Sequence, residues 1–563
     1  MSADFPVALV LIVGSLFVPL LRGRWRAGYL LLLPVVAFLW LLALPHGEYA
    51  RFELLGQTLV LMRVDRLSLL FGYIFLIAVF LNVVFSLHEQ DNAQQVSGLF
   101  YSGAALGAVF AGDLFSLFVY WELTAISSVL LVWAGGTDRA FRAGMRYVIV
   151  HLGSGMLLLA GTVLHVAQGG TLEFGRFALD SAGSYLILAA FGVKCSFPLL
   201  HNWLQDAYPE ASATGMVVLS AFTTKLGIYA LARGFPGTEM LVWIGTLMTL
   251  FPIFYAVIEN DLRRVLAYSV TNQLGFMVVG IGVGTEMAIN GAVAHAFADI
   301  LFKALLLMSM GAVLLRTGTA KGSELGGLYK SMPWTTGFCI VGAASISAFP
   351  LFSGFVTKSM IMAAVAGEGY LYVWLVLLFA SAGVLEHAGI KIPYFAFFAH
   401  DSGKRCAEAP RNMLVAMAAA SALCIGIGVF PDALYAILPY TVEYVPYTAA
   451  HVLMQLQLLV FAVLAVFALM RSGLYPPEIR AVNLDFDWVY RVPGRNLAGF
   501  VIGSAARVRE QLAGWGQVWA VQLCERLYRQ HGPQGMLGRT WPTGSMALWV
   551  MALLLAYLLL YYL

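Results

Sequence analysis

Charged residues are scarce in this chain of 563 residues. Asp, Glu, Lys and Arg account for 11% of the sequence, whereas hydrophobic residues account for 60%. Because a soluble globular domain usually carries about 25% charged residues, this composition excludes a soluble enzyme. Apolar runs of about 18–25 residues recur along almost the whole length, and each can cross a hydrocarbon core of roughly 30 Å. We predict an all-α, polytopic membrane protein with about sixteen transmembrane helices.

Paired cysteines are also missing. The five cysteines, at positions 195, 339, 406, 424 and 524, are scattered and form no CxxC or CxxCH motif. This spacing argues against iron–sulfur clusters, covalently attached haem and a disulfide framework. We therefore expect no cofactor, no metal and no catalytic site on this chain.

A basic region ahead of the first apolar run is missing as well. The N-terminus MSADFPVALVLIVGSLFVPLL contains Asp4 and no Lys or Arg. Because a signal peptide begins with positive charge, we interpret this run as a retained first helix.

Basic residues are unevenly distributed among the loops between the predicted helices. If the N-terminus lies outside, the cytoplasmic loops hold Arg22, Arg24, Arg26, Arg139, Arg142, Arg146, Arg263, Arg264, Arg316, Lys321, Lys330, Lys404, Arg405 and Arg411. The opposite loops hold only Arg51, Arg63, Arg66, Arg176 and Arg233. Short cytoplasmic loops are typically enriched in Lys and Arg. The pattern predicts a multi-pass protein of a prokaryotic cytoplasmic (inner) membrane, with both termini on the periplasmic side.

Two of the predicted helices contain a proline close to a lysine. In the seventh, GVKCSFPLLHNW places Pro198 four residues after Lys194. In the twelfth, SISAFPLFSGFVTK places Pro350 and Gly354 just before Lys358. A proline inside a span removes a backbone hydrogen bond, and the freed carbonyl must face protein or water. Each break therefore indicates a hydrated cavity beside a lysine.

The two broken helices also indicate an internal repeat. They are five spans apart, an odd number, so the two units would cross the membrane in opposite directions, as in many transporters. We predict N-terminal helices in 1–95, two inverted five-helix repeats in 96–234 and 235–400, and C-terminal helices in 401–471.

The C-terminal region differs in composition. After a loop-like stretch, apolar residues recur at spacings of three and four, at Val501, Ala505, Val508, Leu512, Trp515, Val518 and Val521. This period predicts an amphipathic helix that lies laterally along the membrane or against a partner. We assign 472–545 to this cytoplasmic-side lateral helix region and 546–563 to a terminal transmembrane anchor.

Seven ionisable side chains interrupt the apolar helices. They are Glu122, Lys194, Lys225, Asp299, Lys303, Lys358 and Lys391. A Lys or Asp at the centre of a span costs about 2.5–3.5 kcal/mol, so seven groups facing lipid would cost roughly 20 kcal/mol. Snorkelling to the interface explains a lysine near a helix end, and Lys391 fits that reading as well as a buried one. We expect the other groups to face one another and water.

A row of buried acids and bases can carry protons. Burial disfavours charged lysine and a nearby carboxylate favours it, so moving the carboxylate releases the lysine's proton. Arginine cannot act in this way because it stays charged. His151, His201 and His295 are candidates for the same relay, and hydrogen-bonded core residues or haem ligands are the alternative. No pair of these histidines has a spacing that indicates a metal or haem site.

The motifs around these residues resemble a known family. They are YWELTAISSVLL, GVKCSFPLLHNWLQDAYPEASA, LSAFTTKLGIYALAR, ENDLRRVLAYSVTNQLGFM, HAFADILFKALLLMSMG and FPLFSGFVTK. Over roughly residues 60–430 the chain resembles the antiporter-like subunits shared by Mrp-type cation/proton antiporters, respiratory complex I and membrane-bound hydrogenases.

The resemblance implies a proton-translocating subunit of a larger membrane complex. It assigns Glu122 and Lys194 to a coupled ion pair in the first half, with Lys225 passing protons towards the centre. The second half would continue through His295, Asp299, Lys303 and Lys358, with further candidates for a proton path or cation site at His151, His201, Glu386, His387 and Lys391.

The resemblance leaves the energy source open. Asp299 stands where many complex I relatives have histidine, Lys358 resembles the distal complex I subunit, and GIKIPYFAFFA is similar to the Mrp-like branch. We expect Mrp-like exchange of Na⁺ or K⁺ for protons. The alternatives are the pump arm of a complex I-like or hydrogenase-type redox complex, or an energising subunit for inorganic-carbon uptake. The expected partners are other membrane subunits, docked partly through 472–563, and the lipid bilayer; no nucleic acid is expected.

Overall fold

The computed structural model describes residues 4–54, 56–480 and 483–563. It is mostly helical, as the sequence predicts. The chain forms two compact units, Met1–Asn483 and Leu484–Leu563, and each is described by itself.

The first unit begins with two helices and a β-hairpin. Helix α1 spans Val7–Leu16 and α2 spans Gly23–Leu42, and strands β1 (Gly47–Leu54) and β2 (Gln57–Val64) follow them. The strands are antiparallel, with Gly47 opposite Val64 and Leu54 opposite Gln57. This hairpin was not predicted from the sequence, and it interrupts a unit that is otherwise mostly helical. Polar and apolar residues alternate in β1 from Arg51 to Leu54, which is the pattern of a half-buried strand. Strand β2 instead contains the continuous apolar run LVLM.

Seven helices follow up to the end of the first predicted repeat. They are α3 (Arg66–Ser86), α4 (Asn92–Phe110), α5 (Leu114–Trp133), α6 (Asp138–Ala167), α7 (Ala182–Lys194), α8 (Asn202–Ala207) and α9 (Gly215–Gly234). Asp65, Asp91 and Asp113 accept backbone N–H hydrogen bonds at the starts of α3, α4 and α5, as N-cap residues do.

Helix α6 starts earlier than the sequence predicted. Thr137 caps it by accepting a hydrogen bond from the Ala140 N–H. Arg139, Arg142 and Arg146 therefore lie in the first turns of α6 rather than in a loop. A good N-cap extends a helix beyond its apolar segment, because the cap satisfies an otherwise free backbone N–H.

The rest of the first unit is again helical. It comprises α10 (Glu239–Ile258), α11 (Leu262–Val283), α12 (Glu286–Thr317), α13 (Pro333–Ile346), α14 (Ser353–Gly367), α15 (Leu371–Val384), α16 (Lys391–Pro393), α17 (Arg411–Val429), α18 (Asp432–Tyr435) and α19 (Ala449–Ser472). Two π-helical segments, Leu385–Ile390 and Tyr394–Phe398, flank α16.

Among the described residues, twelve helices are long and apolar enough to cross a membrane. The helices α9, α11 and α12 lie at the centre of the first unit, with 94%, 100% and 89% of their most apolar windows buried. Glycine lets α10 approach α11 closely, because a Cβ at Gly275 would contact the backbone nitrogen of Thr249. Helices α9 and α12, which carry Lys225, His295, Asp299 and Lys303, therefore pack inside the protein.

The second unit contains α20 (Asp487–Val489), a π-helical segment at Tyr490–Gly494, α21 (Arg495–His531) and α22 (Thr543–Tyr562). Helix α21 has 37 residues and covers the predicted amphipathic segment. At 1.5 Å per residue it is about 55 Å long. Its lateral placement on the membrane stays a prediction.

Candidate functional site

Six ionisable side chains and one histidine lie within the apolar helices, and we call them the buried row: Glu122, Lys194, Lys225, His295, Asp299, Lys303 and Lys358. Lys358 is 3% exposed, and the three other lysines, His295 and Asp299 are not exposed at all. Glu122 is half-buried. The row therefore faces the interior of the protein rather than its surface.

The first broken helix ends at Lys194. Between α7 and α8 the backbone takes positive φ at two non-glycine residues, 63° at Ser196 and 71° at Leu199. The indole N–H of Trp203 donates to the carbonyl of Val193 at 2.9 Å. This bond replaces a helical partner that the break removes. The break thus leaves Lys194 at the C-terminal end of α7, inside the protein core.

Neutral groups hold the Lys194 ammonium. Its Nζ donates to Thr124 Oγ1 at 2.6 Å and to the carbonyl of Trp121 at 3.3 Å. It also lies 4.6 Å from the centre of the Trp121 ring, which is cation–π distance. Both residues belong to α5 and flank Glu122 in the sequence. The Lys194 ammonium of α7 is therefore held against the segment of α5 that carries Glu122.

Glu122 has a free carboxylate oxygen. Its Oε1 is buried and has no hydrogen-bond partner among the residues that the structure describes. Gly155 of α6 makes room for this oxygen, because a Cβ there would collide with it. A buried acceptor without a partner costs about 1–3 kcal/mol. Such an oxygen is ready to accept a proton, a water or the Lys194 ammonium.

His151 of α6 and His201, the last residue of the first break, both have aromatic neighbours. The His151 ring is buried between Tyr147 at 4.3 Å and Trp203 at 4.4 Å, centroid to centroid. His201 directly precedes α8, and its ring lies 4.6 Å from that of Phe251. Trp203 therefore connects His151 to the break beside Lys194, since the same indole bonds Val193.

Lys225 and Asp299 form a buried ion pair between α9 and α12, in which Asp299 Oδ1 has no hydrogen-bond partner among the described residues. Lys225 Nζ lies 2.7 Å from Asp299 Oδ2, and neither side chain has any exposed surface. The same ammonium donates to the carbonyl of Ser220 at 3.1 Å. Removing one partner of such a pair costs about 3–5 kcal/mol, because a buried charge is left alone. This pair therefore fixes α9 against α12.

Helix α11 carries polar residues that the sequence reasoning did not single out. Lys303 Nζ donates to Ser269 Oγ at 2.8 Å. His295 Nε2 lies 3.0 Å from Gln273 Oε1, and its Nδ1 lies 2.9 Å from Thr357 Oγ1. In the sequence, these residues could have been found as the polar run SVTNQ, which apolar residues flank on both sides within α11.

The same helix reaches the first break. Gln205 Nε2 donates to Thr271 Oγ1 at 2.9 Å, and Ser196 Oγ lies 3.4 Å from Thr271 Oγ1. Ser269 and Gln273, on either side of Thr271, contact Lys303 and His295. Helix α11 thus joins the break beside Lys194 to the centre of the second half.

The second broken helix holds Lys358. Helix α13 ends at Ile346 and α14 begins at Ser353. Lys358 Nζ donates to the carbonyl of Ile346 at 3.2 Å and lies 4.9 Å from the ring centre of Phe276. A cavity of about 210 Å³ is lined by Lys358, His451 and Gln455, among others. Most of the lining residues are apolar, and Lys358, His451 and Gln455 are among the few polar groups that a water in this cavity could bond.

The three further candidates lie near the π-helical segment Leu385–Ile390. Glu386 Oε1 accepts a hydrogen bond from Tyr475 Oη at 2.7 Å, and His387 is fully buried. Lys391 does not snorkel, because its side chain has no exposed surface and its Nζ donates to the carbonyl of Val257 at 2.6 Å. Within residues 4–54, 56–480 and 483–563, no three His, Cys, Asp or Glu side chains are grouped as a metal ion requires.

Comparison with protein families identifies the central part of the chain. Residues 111–385 match the family described as NADH:quinone oxidoreductase/Mrp antiporter, TM. This range contains every member of the buried row and both broken helices.

Three curated relatives come from different complexes. A Na⁺/H⁺ antiporter subunit of Alkalihalophilus pseudofirmus is 32% identical over 47% of this chain and 58% of its own length. The hydrogenase-4 component B of Escherichia coli is 29% identical over 66% of this chain and 62% of its own length. An NADH-quinone oxidoreductase subunit of Desulforudis audaxviator is 30% identical over 64% and 79%. The chain spans about three fifths of the first two proteins.

Two solved structures share the fold. The Mrp complex from Dietzia sp. DQ12-45-1b contains a chain with a TM-score of 0.69 and 21% identity, over 77% of this chain and 96% of that one. A membrane-bound sulfane sulfur reductase contains another, with a TM-score of 0.68 and 24% identity over 77% and 95%. Together with the 30% identity over 79% of the Desulforudis protein, these matches show that the chain belongs to the NADH:quinone oxidoreductase/Mrp antiporter membrane-subunit family.

Proposed function

We propose that this chain is a proton-translocating subunit of a multisubunit membrane complex that exchanges Na⁺ or K⁺ for protons. The observation that carries the proposal is the polar run of α11, which contacts the first break through Thr271 and Lys303 through Ser269. The Alkalihalophilus pseudofirmus relative, which is named as a Na⁺/H⁺ antiporter subunit, supports the choice of antiport.

In the first half, Glu122 and Lys194 act as the coupled pair. Lys194 donates to neutral acceptors, so it can exchange its proton without breaking a tight ion pair. The unpartnered oxygen of Glu122 is the group that attracts the ammonium or takes the proton. His151 and His201 stand beside the break as further carriers.

Lys225 of the first repeat and Asp299 of the second repeat form the link between the two halves. Asp299 lies one turn before Lys303 on α12, so it can pair with either lysine as the proton moves. His295 bridges towards Thr357 of α14, the helix that carries Lys358. Lys358 then exchanges with water in the cavity beside it.

The energy needed for each step is small. One charge crossing 100 mV is worth about 2.3 kcal/mol. Shifting a buried lysine from one carboxylate to another changes its energy by a similar amount, since a single hydrogen bond to a charged group contributes about 1.5–3 kcal/mol. A modest movement of Asp299 or Glu122 is therefore enough to drive a proton along the row.

The architecture that we propose has sixteen crossings. Beyond the twelve long helices, the shorter Val7–Leu20 and Ala182–Lys194, the more polar α4, and α13 with α14 as one broken span supply the other four. The repeats are 96–234 and 235–400, flanked by 1–95, 401–471, the lateral helix region 472–545 and the anchor 546–563.

The proposed orientation follows the basic loops. Arg263, Lys330 and Arg405 follow α10, α12 and α16 in the chain, and these three helices end at the same membrane face in the proposed topology. Short cytoplasmic loops are enriched in such basic residues. We infer a prokaryotic inner membrane with both termini on the periplasmic side. Other membrane subunits would dock against this chain, partly through α21 and α22.

A redox-driven pump is the second candidate. It is favoured by the relatives that are named as an NADH-quinone oxidoreductase subunit and as hydrogenase-4 component B. In that case the same buried row would move protons, and a partner protein would supply the energy.

Inverted membrane vesicles that contain the whole complex separate the two candidates. After a proton gradient is imposed, addition of NaCl or KCl dissipates it if the complex is an antiporter, whereas choline chloride has no effect. A gradient that forms only on addition of an electron donor, without any cation response, would favour the redox pump. A Lys194→Ala complex that assembles and exchanges at the wild-type rate would contradict the role of Lys194.

A further inference from the structure

A short segment after α19 covers Lys391, and we call residues 475–480 the strap. Tyr475 Oη donates to Glu386 Oε1 at 2.7 Å. Glu478 Oε1 lies 2.8 Å from Lys391 Nζ. Arg480 pairs with Glu324 at 2.9 Å. Three side chains of the strap thus contact groups near the end of α15–α16.

The Lys391–Glu478 pair is buried although the strap lies at the surface. The Lys391 side chain has no exposed area and the Glu478 side chain has 6%. By contrast, Arg480 is 74% exposed in its pair with Glu324. A surface pair is enough to anchor a segment, whereas burying two charges carries a desolvation cost of several kcal/mol per ion. Anchoring of the strap therefore does not by itself explain why the Glu478 side chain is buried.

The environment of Glu478 favours proton binding. Burial raises the pKa of the Glu478 carboxyl above its ordinary value, although the neighbouring Lys391 lowers it. Its Oε2 is buried and has no hydrogen-bond partner in the part of the chain that the structure describes. This oxygen can hold a proton without displacing another donor.

His387 is the candidate link between Lys391 and the buried row. His387 is fully buried and lies within electrostatic range of Lys303 and Lys391. Neither of its ring nitrogens bonds a side chain of the described residues. Glu386, His387 and Lys391 all lie in or beside the π-helical segment Leu385–Ile390. Single π-helical turns are rare and occur frequently at functional sites.

We propose that Lys391 and Glu478 form a proton-exchange site between the buried row and the aqueous phase, with the strap as its movable cover. The Lys391 ammonium gives a proton to the Glu478 carboxylate, which leaves a neutral amine and a neutral acid. When the strap lifts, the acid loses this proton to water, and Lys391 regains one from the row through His387. The reverse sequence loads a proton from water. This proposal rests on the proposed function and adds a site on the segment that follows the matched family region.

Cation-driven proton flux in vesicles with the whole complex tests the site. We expect Glu478→Gln to lower the flux about a hundredfold, which is the usual contribution of a positioned proton carrier. Glu478→Asp should retain part of the flux. Glu368→Gln, a change at the exposed glutamate that directly follows α14, should leave the flux unchanged.

A double variant separates proton transfer from structural support. Lys391→Met/Glu478→Gln removes both charges, so no unpaired charge is left buried and the complex should assemble at the wild-type level. If the pair only supports the fold, this variant recovers full flux, which would overturn the proposal. We expect flux as low as in Glu478→Gln.

A labelling experiment tests the site even if the antiporter proposal fails. A hydrophobic carbodiimide reacts with protonated carboxyl groups in apolar surroundings, and peptide mass spectrometry locates the modified residue. We expect modification of Glu478 in the whole complex that increases as the pH falls, and none at the exposed Glu368. Absence of modification at Glu478 over the whole range of folding pH would show that it takes no proton and would overturn the site.

Discussion

Lys194 and Lys225 are both completely buried, yet their partners differ. Lys225 forms a 2.7 Å ion pair with Asp299, whereas Lys194 donates to a threonine hydroxyl and a backbone carbonyl. Glu122, which follows Trp121 on α5, keeps one oxygen without a hydrogen-bond partner among the described residues, as Asp299 does at Oδ1. The first-half lysine is loosely held and the central one is tightly paired.

This difference separates two uses of a buried charge. A tight pair in a dry interior holds two helices together, and its loss leaves a charge that nothing compensates. A loosely held pair can change its proton occupancy at low cost, since no strong contact has to break. We therefore expect changes at Asp299 to affect stability first and changes at Glu122 to affect transport first.

The largest effect is expected at the tight pair. Asp299→Asn leaves Lys225 buried and unpaired, which should destabilise the folded complex by about 3–5 kcal/mol. The yield of assembled complex and its thermal unfolding temperature measure this loss. Lys225→Met/Asp299→Asn should recover most of the stability but not the proton flux. An Asp299→Asn complex as stable as the wild type would show that the pair does not hold α9 to α12.

At Glu122 we expect the opposite: a large effect on transport and a small effect on stability. Glu122→Gln keeps the size of the side chain, so we expect assembly and unfolding temperature close to the wild type. Proton flux should fall about a hundredfold, because a positioned proton carrier is lost. Flux assays and size-exclusion chromatography on the same preparation provide both measurements. Normal flux with normal assembly would remove Glu122 from the path.

Two glycines of α6 offer a matched test of the space around Glu122. A Cβ at Gly155 would collide with Glu122 Oε1, whereas a Cβ at Gly153 meets nothing within 4 Å. Gly155→Ala should displace the carboxylate and lower flux about tenfold, the result of losing roughly 1.4 kcal/mol of positioning. Gly153→Ala should leave the flux unchanged, because the added methyl group meets no neighbour. It is a matched control, since both variants replace glycine by alanine within α6 and so change helix propensity equally. Equal effects of the two changes would contradict this geometry.

The smallest effect is expected at the hydroxyl that holds Lys194. Thr124→Val removes the 2.6 Å hydrogen bond while keeping the shape of the side chain. Loss of a hydrogen bond to a charged group corresponds to about 1.5–3 kcal/mol, of which water can replace a part. We expect a flux reduction of a few-fold and a small drop in unfolding temperature. Thr124→Ser, which keeps the hydroxyl, is the control.

The sequence predicted much of the row and of the breaks around it. Pro198 and Pro350 indicated both broken helices, and the insertion cost of charge indicated that the lysines face inwards. These inferences succeed because they depend on the chain's own backbone chemistry and on the bilayer. The family resemblance then predicted the same residues, and the family match includes all of them.

The contacts between distant segments could not be predicted. The sequence shows polar residues in α11, but only the packing reveals that Thr271 faces Gln205 and that Ser269 faces Lys303. Glu478 lies 87 positions after Lys391, and no local pattern pairs them. The β-hairpin at Gly47–Val64 was missed for another reason. It lies between apolar helices, and the alternation in such short strands is weak evidence against a loop.

Thr271 provides the most direct test of the claim that α11 joins the two halves of the row. Thr271→Val keeps the volume but removes the hydroxyl that contacts Gln205 and Ser196, whereas Thr271→Ser keeps it. In vesicles with equal amounts of assembled complex, the account predicts that cation-driven proton flux is lost in Thr271→Val and retained in Thr271→Ser. Full flux in the Thr271→Val complex would contradict it.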